Sequence, residues 1–214
     1  MRAAEREQFF QNLSKAIPEP ITELQHANTF ELLIAIILSA QTTDAAVNKV
    51  TPSLFGSYPT PQKLAQAEPE EVLTHIKTIG LAPTKAKNIV KTAQQLCEQH
   101  RGEIPEDPEA LQALPGVGRK TANVLLNTAF GHPVIAVDTH VFRVSNRTGL
   151  ARGKTVEEVE RKLARNVPPN WRKDAHHYLI LQGRYTCKAR KPLCGQCHVF
   201  KECSFPGKEI EKVS

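Results

Sequence analysis

The sequence predicts an all-α fold, and three observations carry that prediction. Apolar residues recur three and four apart through most of the chain, with capping residues ahead of the runs and Gly or Pro behind them. The β-branched stretch Val134-Ile135-Ala136-Val137 is too isolated to build a sheet. A tight turn, Pro115-Gly116-Val117-Gly118, joins a short helix ending at Leu114 to a second opened by Lys120, with apolar Ala122, Val124, Leu125 and Ala129. At 214 residues the chain is long enough to bury a proper core, in one large domain or two small ones.

Taken in order, Phe9, Phe10, Leu13 and Ile17 give a first helix closed by Pro18 and Pro20. Thr29 is placed to cap a second helix through Phe30, Leu33, Ile34, Ile36, Ile37 and Leu38, apolar nearly all round and therefore central. It gives way to Gln41-Thr42-Thr43-Asp44, where a Thr or Asp cap starts a third helix that Pro52 should bend or end. Glu68-Pro69-Glu70-Glu71 opens a helix through Val72, Leu73 and Ile76, with Gly80 as its stop. Thr84 to His100 follows, its core stripe including Cys97 as a small hydrophobe. Asp107-Pro108 caps the helix before the tight turn, and Asp138 caps one through His140, Val141, Phe142 and Arg143. Thr155 and Glu158 form a capping box for a helix stopped by Pro168-Pro169. Trp171 to Tyr185 reads as the last long helix, and the charged or small tail from Gly207 to Ser214 as frayed. No fixed-period repeat appears, although Ile79-Gly80-Leu81 followed by Lys85-Ala86 faintly echoes Gly118 to Ala122.

Charge and cysteine content narrow the chemistry. Lys+Arg number 28 against 22 Asp+Glu, a net of +6, which permits a polyanionic partner without requiring one. Charges at Arg2, Glu5, Arg6 and Glu7 stand where a signal peptide needs an apolar core, and the apolar run from Leu32 to Ala40 is too short to span a bilayer. The expectation is a cytoplasmic protein with no membrane contact. Its cysteines are then metal ligands sooner than disulfides. Four crowd into Cys187-x6-Cys194-x2-Cys197-x5-Cys203, a strong metal-site signal. Ligand count alone leaves zinc and a [4Fe–4S] cluster both open. Ligands this close in sequence favour a closed structural or redox site over metal catalysis. Around them, Arg184, Lys188, Arg190 and Lys191 form a basic run that is either simply solvated or grips phosphates.

The tight turn carries its own chemistry. Glycines beside a helix N-terminus present backbone N–H groups that suit a phosphate. Lys120 is a nucleophile only as the neutral amine; the positive end of its helix disfavours the ammonium, and neighbouring Arg119 pushes the same way if the two side chains are near each other. Asp138 pulls the other way if the two groups are close. As a cap it accepts backbone N–H bonds, a setting that suits a carboxylate. His140 has no case beyond a structural one.

Leu114 to Ala122 resembles the helix–hairpin–helix of the DNA glycosylases, and Lys120 with Asp138 matches the catalytic pair of the endonuclease III family. The resemblance extends to Leu38-Ser39-Ala40-Gln41-Thr42-Thr43-Asp44 and to all four cysteine positions, so it covers most of the chain. It implies two helical lobes: a barrel domain over 22–132 with the hairpin at about 108–130, and a discontinuous domain of 1–21 plus 133–214 with a cluster loop at 187–203. It implies a bifunctional DNA glycosylase and abasic-site lyase, acting on oxidised pyrimidines in double-stranded DNA held between the lobes. It decides for a [4Fe–4S] cluster on Cys187, Cys194, Cys197 and Cys203. DNA contacts are implied at Gly116, Val117, Gly118, Arg119 and the basic run, with Gln41 and Leu81 entering the duplex. A nucleoid-associated monomer is the expected form. Ala82-Pro83 departs from the aromatic-containing turn frequent after that leucine. Two rivals remain: a monofunctional adenine glycosylase, disfavoured by Lys120 and by the short chain after Cys203, and a non-enzymatic DNA-binding metal module, which leaves Lys120 and Asp138 unexplained.

Overall fold

Local capping chemistry starts most of the helices. The computed structural model describes residues 1–208, and the described residues form eleven α-helices and no strand. These are α1 (Ala3–Ala16), α2 (Thr29–Leu38), α3 (Asp44–Ser57), α4 (Pro61–Ala65), α5 (Pro69–Ile76), α6 (Ala82–His100), α7 (Pro108–Ala113), α8 (Arg119–Phe130), α9 (Thr139–Thr148), α10 (Val156–Asn166) and α11 (Ala175–Leu181). Side chains of Thr43, Asp107, Asp138 and Thr155 each accept a backbone N–H at the start of a helix, satisfying donors that a helix end otherwise leaves unpaired.

The chain forms two compact units, Thr22–Phe130 and Met1–Ile21 together with the segment from Gly131 onward. In the first, α2 is the central rod: Phe30 and every residue from Leu32 to Leu38 are buried, as the near-continuous apolar run requires. Val47, Val72, Ile89, Leu96 and Leu125 add buried side chains from α3, α5, α6 and α8. In the second, Phe9, Phe10 and Leu13 of α1 join Val141, Val144, Leu163, Leu179 and Val199 in one core. Phe10 stacks on Trp171 with ring centroids 6.1 Å apart, and the Trp171 indole donates to Glu7 at 2.8 Å. The stretch Val134–Val137 forms neither helix nor strand, and it buries Ile135, Ala136 and Val137.

Several sequence expectations shift. Asn28 rather than Thr29 caps α2, its Oδ1 accepting from Glu31 N at 2.9 Å. Pro52 lies inside α3 without ending it; it is on the exposed side, where the carbonyl it leaves unpaired can meet water. The short helix α4 is unforeseen, although Thr60-Pro61 is a cap followed by Pro at the first helical position. Glu158 closes its box one residue early, accepting from Lys154 N rather than Thr155 N. The segment from Trp171 to Tyr185 is a 3-10 turn at Pro169–Trp171, then α11, then a π-helical turn at Gln182–Thr186. Cys97 is half-buried at the edge of its stripe. Lys208 is tied down, its ammonium donating to Phe200 O and Cys203 O at 2.9 and 2.6 Å. The rest of the tail expected to fray, residues 209–214, lies outside the described residues.

Candidate functional site

The hairpin between α7 and α8 is built from turn chemistry. Leu114 ends α7 and its carbonyl accepts from Val117 N at 3.1 Å, closing the turn. Gly116 has φ +78°, and a Cβ there would stand 3.1 Å from Asn88 Nδ2 and 3.2 Å from Ile37 Cγ2, so both backbone and space demand glycine. Gly118 differs: nothing lies within 4 Å of where its Cβ would be. One glycine makes the corner, and the other leaves its outer face open to a close-approaching ligand. Val117 is buried and its amide is used within the turn, so it anchors the hairpin and offers no donor outward. Arg119 and Lys120 are exposed at the first two positions of α8.

Gln41 and Leu81 belong to the same unit, and each has left-handed backbone, φ 54° and 59°. Both are exposed, Leu81 to 56%, which is unusual for a large apolar side chain in a strained turn. Leu81 caps α6, and Pro83 takes its place in the first turn of that helix, where the missing N–H costs nothing.

In the other unit, Asp138 caps α9 through Oδ1, which accepts from Val141 N at 2.8 Å. Two arginines four residues apart on α9 then reach the cysteine loop. Arg143 donates to Gly183 O at 2.8 Å and Cys187 O at 2.9 Å, and contacts His140 Nδ1 at 3.1 Å. Arg147 donates to Lys188 O at 2.7 Å and Ala189 O at 2.8 Å, and lies 3.7 Å from Cys187 Sγ. Gly183 lets this packing happen, because a Cβ there would stand 2.9 Å from His140 Cβ. These arginines were not singled out in the sequence, although their i,i+4 spacing on a capped helix marks them as one face.

The four cysteines lie along this loop. Gln182 Nε2 donates to Cys197 Sγ at 3.2 Å. Burial, first of all, pushes the Cys194, Cys197 and Cys203 thiols up, and Cys187 raises all three further, while N–H donors and nearby cations oppose the rise. Among the described residues, no three His, Cys, Asp or Glu side chains are grouped as one metal ion would need. The donor set nevertheless fits an iron–sulfur cluster: thiols that repel one another as anions, faced by Arg147, Gln182 and Lys208, suit a group that binds thiolates and spreads their charge. Of the basic run, Lys188, Arg190 and Lys191 are exposed and Arg184 is half-buried in the π-helical turn.

This helical architecture with its hairpin defines a class of base excision proteins. The family described as HhH-GPD superfamily base excision DNA repair protein matches residues 34–169. Endonuclease III of Escherichia coli (strain K12) is 56% identical over 208 residues, covering 97% of this chain and 99% of its own. Endonuclease III of Bacillus subtilis (strain 168) is 50% identical over 187 residues, covering 87% and 85%. Among solved structures, a trapped endonuclease III–DNA covalent intermediate superposes with TM-score 0.88 at 45% identity over 95% of this chain and 96% of that one. A non-covalent endonuclease III–DNA complex gives 0.89 at 46%, over the same shares. The chain belongs to the endonuclease III family within that superfamily.

Proposed function

We propose that this chain, a bifunctional DNA glycosylase and abasic-site lyase of base excision repair, removes oxidised pyrimidines from double-stranded DNA through a Schiff base at Lys120. The observation that carries the reading is the hairpin: an exposed lysine in the first turn of α8, behind a glycine whose outer face is open. Backbone N–H groups of Gly116 and Gly118, with Arg119, hold the phosphates, Val117 fixing the turn beneath them. The lesion is flipped out of the duplex, and Gln41 and Leu81 fill the gap. The neutral Lys120 amine bonds to C1′ as the C1′–base bond breaks and the base leaves protonated. The attached nitrogen loses one proton, and the C1′–O4′ bond then breaks with O4′ taking up a proton, opening the sugar to a protonated Schiff base. Removal of a C2′ proton then expels the 3′ phosphate by β-elimination. Asp138 supports the positive charge on the sugar and the proton transfers of the reaction.

A [4Fe–4S] cluster on Cys187, Cys194, Cys197 and Cys203 would cross-link the loop and supply electron-transfer capacity there. The loop itself presents Lys188, Arg190 and Lys191, with Arg184 beside it, to the DNA backbone. A monomer is sufficient for each of these roles, and the cytoplasm, at the nucleoid, is where the substrate lies. No helix among the described residues is long and apolar enough to cross a membrane.

Borohydride trapping tests the reading against duplexes carrying different oxidised pyrimidines or a preformed abasic site. The wild-type chain should trap on both classes. Lys120→Ala should lose trapping and strand nicking while still binding abasic DNA. Undiminished trapping in that variant would remove Lys120 from the chemistry.

A further inference from the structure

The turns at Gln41 and Leu81 are neighbours: a Cβ on Gly80 would lie 3.8 Å from Gln41 O and 3.9 Å from Thr42 Oγ1. Two left-handed, non-glycine residues side by side persist only where their surroundings over-determine them. Lys85 supplies the link. It sits one turn into α6, the helix that Leu81 caps, it is 3% exposed, and its ammonium donates to Thr42 Oγ1 at 2.7 Å. One hydrogen bond therefore ties the start of the Leu81 helix to the turn that carries Gln41.

This is an expensive way to join two turns. Burial holds the Lys85 amine below the ordinary lysine range, and among the described residues no carboxylate faces it. It also lies near the positive end of a helix, where a cation is disfavoured. An apolar side chain of the same length would avoid all three costs. What the lysine adds is direction, since its short bond fixes one turn relative to the other. Further along the same stripe of α6, a Cβ on Gly116 would meet Asn88 Nδ2 at 3.1 Å, and Thr92 Oγ1 donates to Pro115 O at 2.9 Å. Lys85, Asn88 and Thr92 thus index three turns of this unit to a single helix: those of Gln41, Leu81 and the hairpin before Lys120.

We infer that Lys85 is a positioning residue for base excision, locking the Gln41 and Leu81 turns together so that both side chains enter the duplex as one rigid wedge. The inference rests on the proposed insertion of those two residues. It explains why a buried cation stands where packing alone would favour an apolar residue.

The test uses the full-length protein with Lys85→Met, Thr42→Val, the double variant and Leu81→Ala. Single-turnover excision of a paired oxidised pyrimidine is compared with trapping on a preformed abasic site, alongside the thermal midpoint. An abasic nucleotide has no base to unpair or unstack, so it needs the wedge least. Lys85→Met and Thr42→Val should each slow excision about tenfold, as small losses of alignment do, with trapping on abasic DNA within about twofold of wild type. The double variant should lose no more than either single change, and the midpoint should hold or rise. Normal excision in Thr42→Val, a change at a half-exposed hydroxyl, overturns the inference even if Lys85→Met folds poorly. So do equal losses on both substrates with a lowered midpoint, which mark a purely structural lysine. If Leu81→Ala slows excision while Lys85→Met does not, the clamp alone falls; if Leu81→Ala excises normally, the insertion reading falls and the clamp with it.

Discussion

Asp138 caps α9 with one carboxylate oxygen, Oδ1, which leaves Oδ2 outside the cap bond. Asp138→Asn separates this cap from the proposed stabilisation of charge, because asparagine caps helices about as well but carries no charge. Breaking the bond to a damaged base builds positive charge on the sugar, whereas attack on an already ring-opened abasic sugar builds far less. Excision of an oxidised pyrimidine should therefore fall on the order of a hundredfold, with a clearly smaller loss on abasic DNA and little change in stability. Equal losses on the two substrates would make Asp138 chiefly an activator of Lys120. Near-normal excision would leave it a cap alone. The cap itself was legible in the sequence because it is a contact between residues three apart. The contrast between Gly116 and Gly118 was not, since it depends on Asn88 and Ile37 standing beside one glycine and nothing standing beside the other.

Helix α9 ties a capped aspartate at its start to the cysteine loop farther along, through four carbonyl hydrogen bonds from Arg143 and Arg147. Arg147 also lies over the Phe205 ring, 4.9 Å from its centre, so its planar head is held on several sides. A lysine in its place keeps the charge but not the fork of donors. Arg147→Lys should loosen the loop and speed exchange of its hydrogen-bonded amides, Lys188 and Leu193, both of which donate to Thr186 O at 2.9 Å, about tenfold, the equivalent of losing one charged hydrogen bond. DNA affinity should weaken, while the trapping rate at saturating abasic DNA is kept. Unchanged exchange would show that the loop does not depend on this arginine. At this scale the sequence shows helices with their own caps and stripes, and it misses what tertiary packing imposes. The π-helical turn after α11 is of the second kind: Gly183 is pressed against His140, and Cys187 N donates back to Gln182 O at 2.7 Å. Nothing in the local pattern from Trp171 to Tyr185 announces that break.

Across the whole chain, the pairing of α1 with the C-terminal helices rests on Phe9, Phe10 and Leu13 meeting residues more than a hundred positions away, which helical periodicity cannot reveal. Charge is the whole-molecule property that the sequence does carry, and its net of +6 is modest for a protein that grips a polyanion. Affinity must then come from where cations are concentrated. Lys188, Arg190 and Lys191 are exposed together on the cysteine loop, and each phosphate contact made by such a residue releases about one counterion. Lys191→Ala should therefore weaken damaged and undamaged duplexes alike and flatten the dependence of log K on log salt by about one unit. Trapping on abasic DNA at saturation should be unaffected, because the residue acts on the backbone and not on the sugar. A loss confined to damaged DNA, with the salt slope unchanged, would instead assign Lys191 to lesion recognition and leave Arg190 and Lys188 to account for the loop's hold on phosphate.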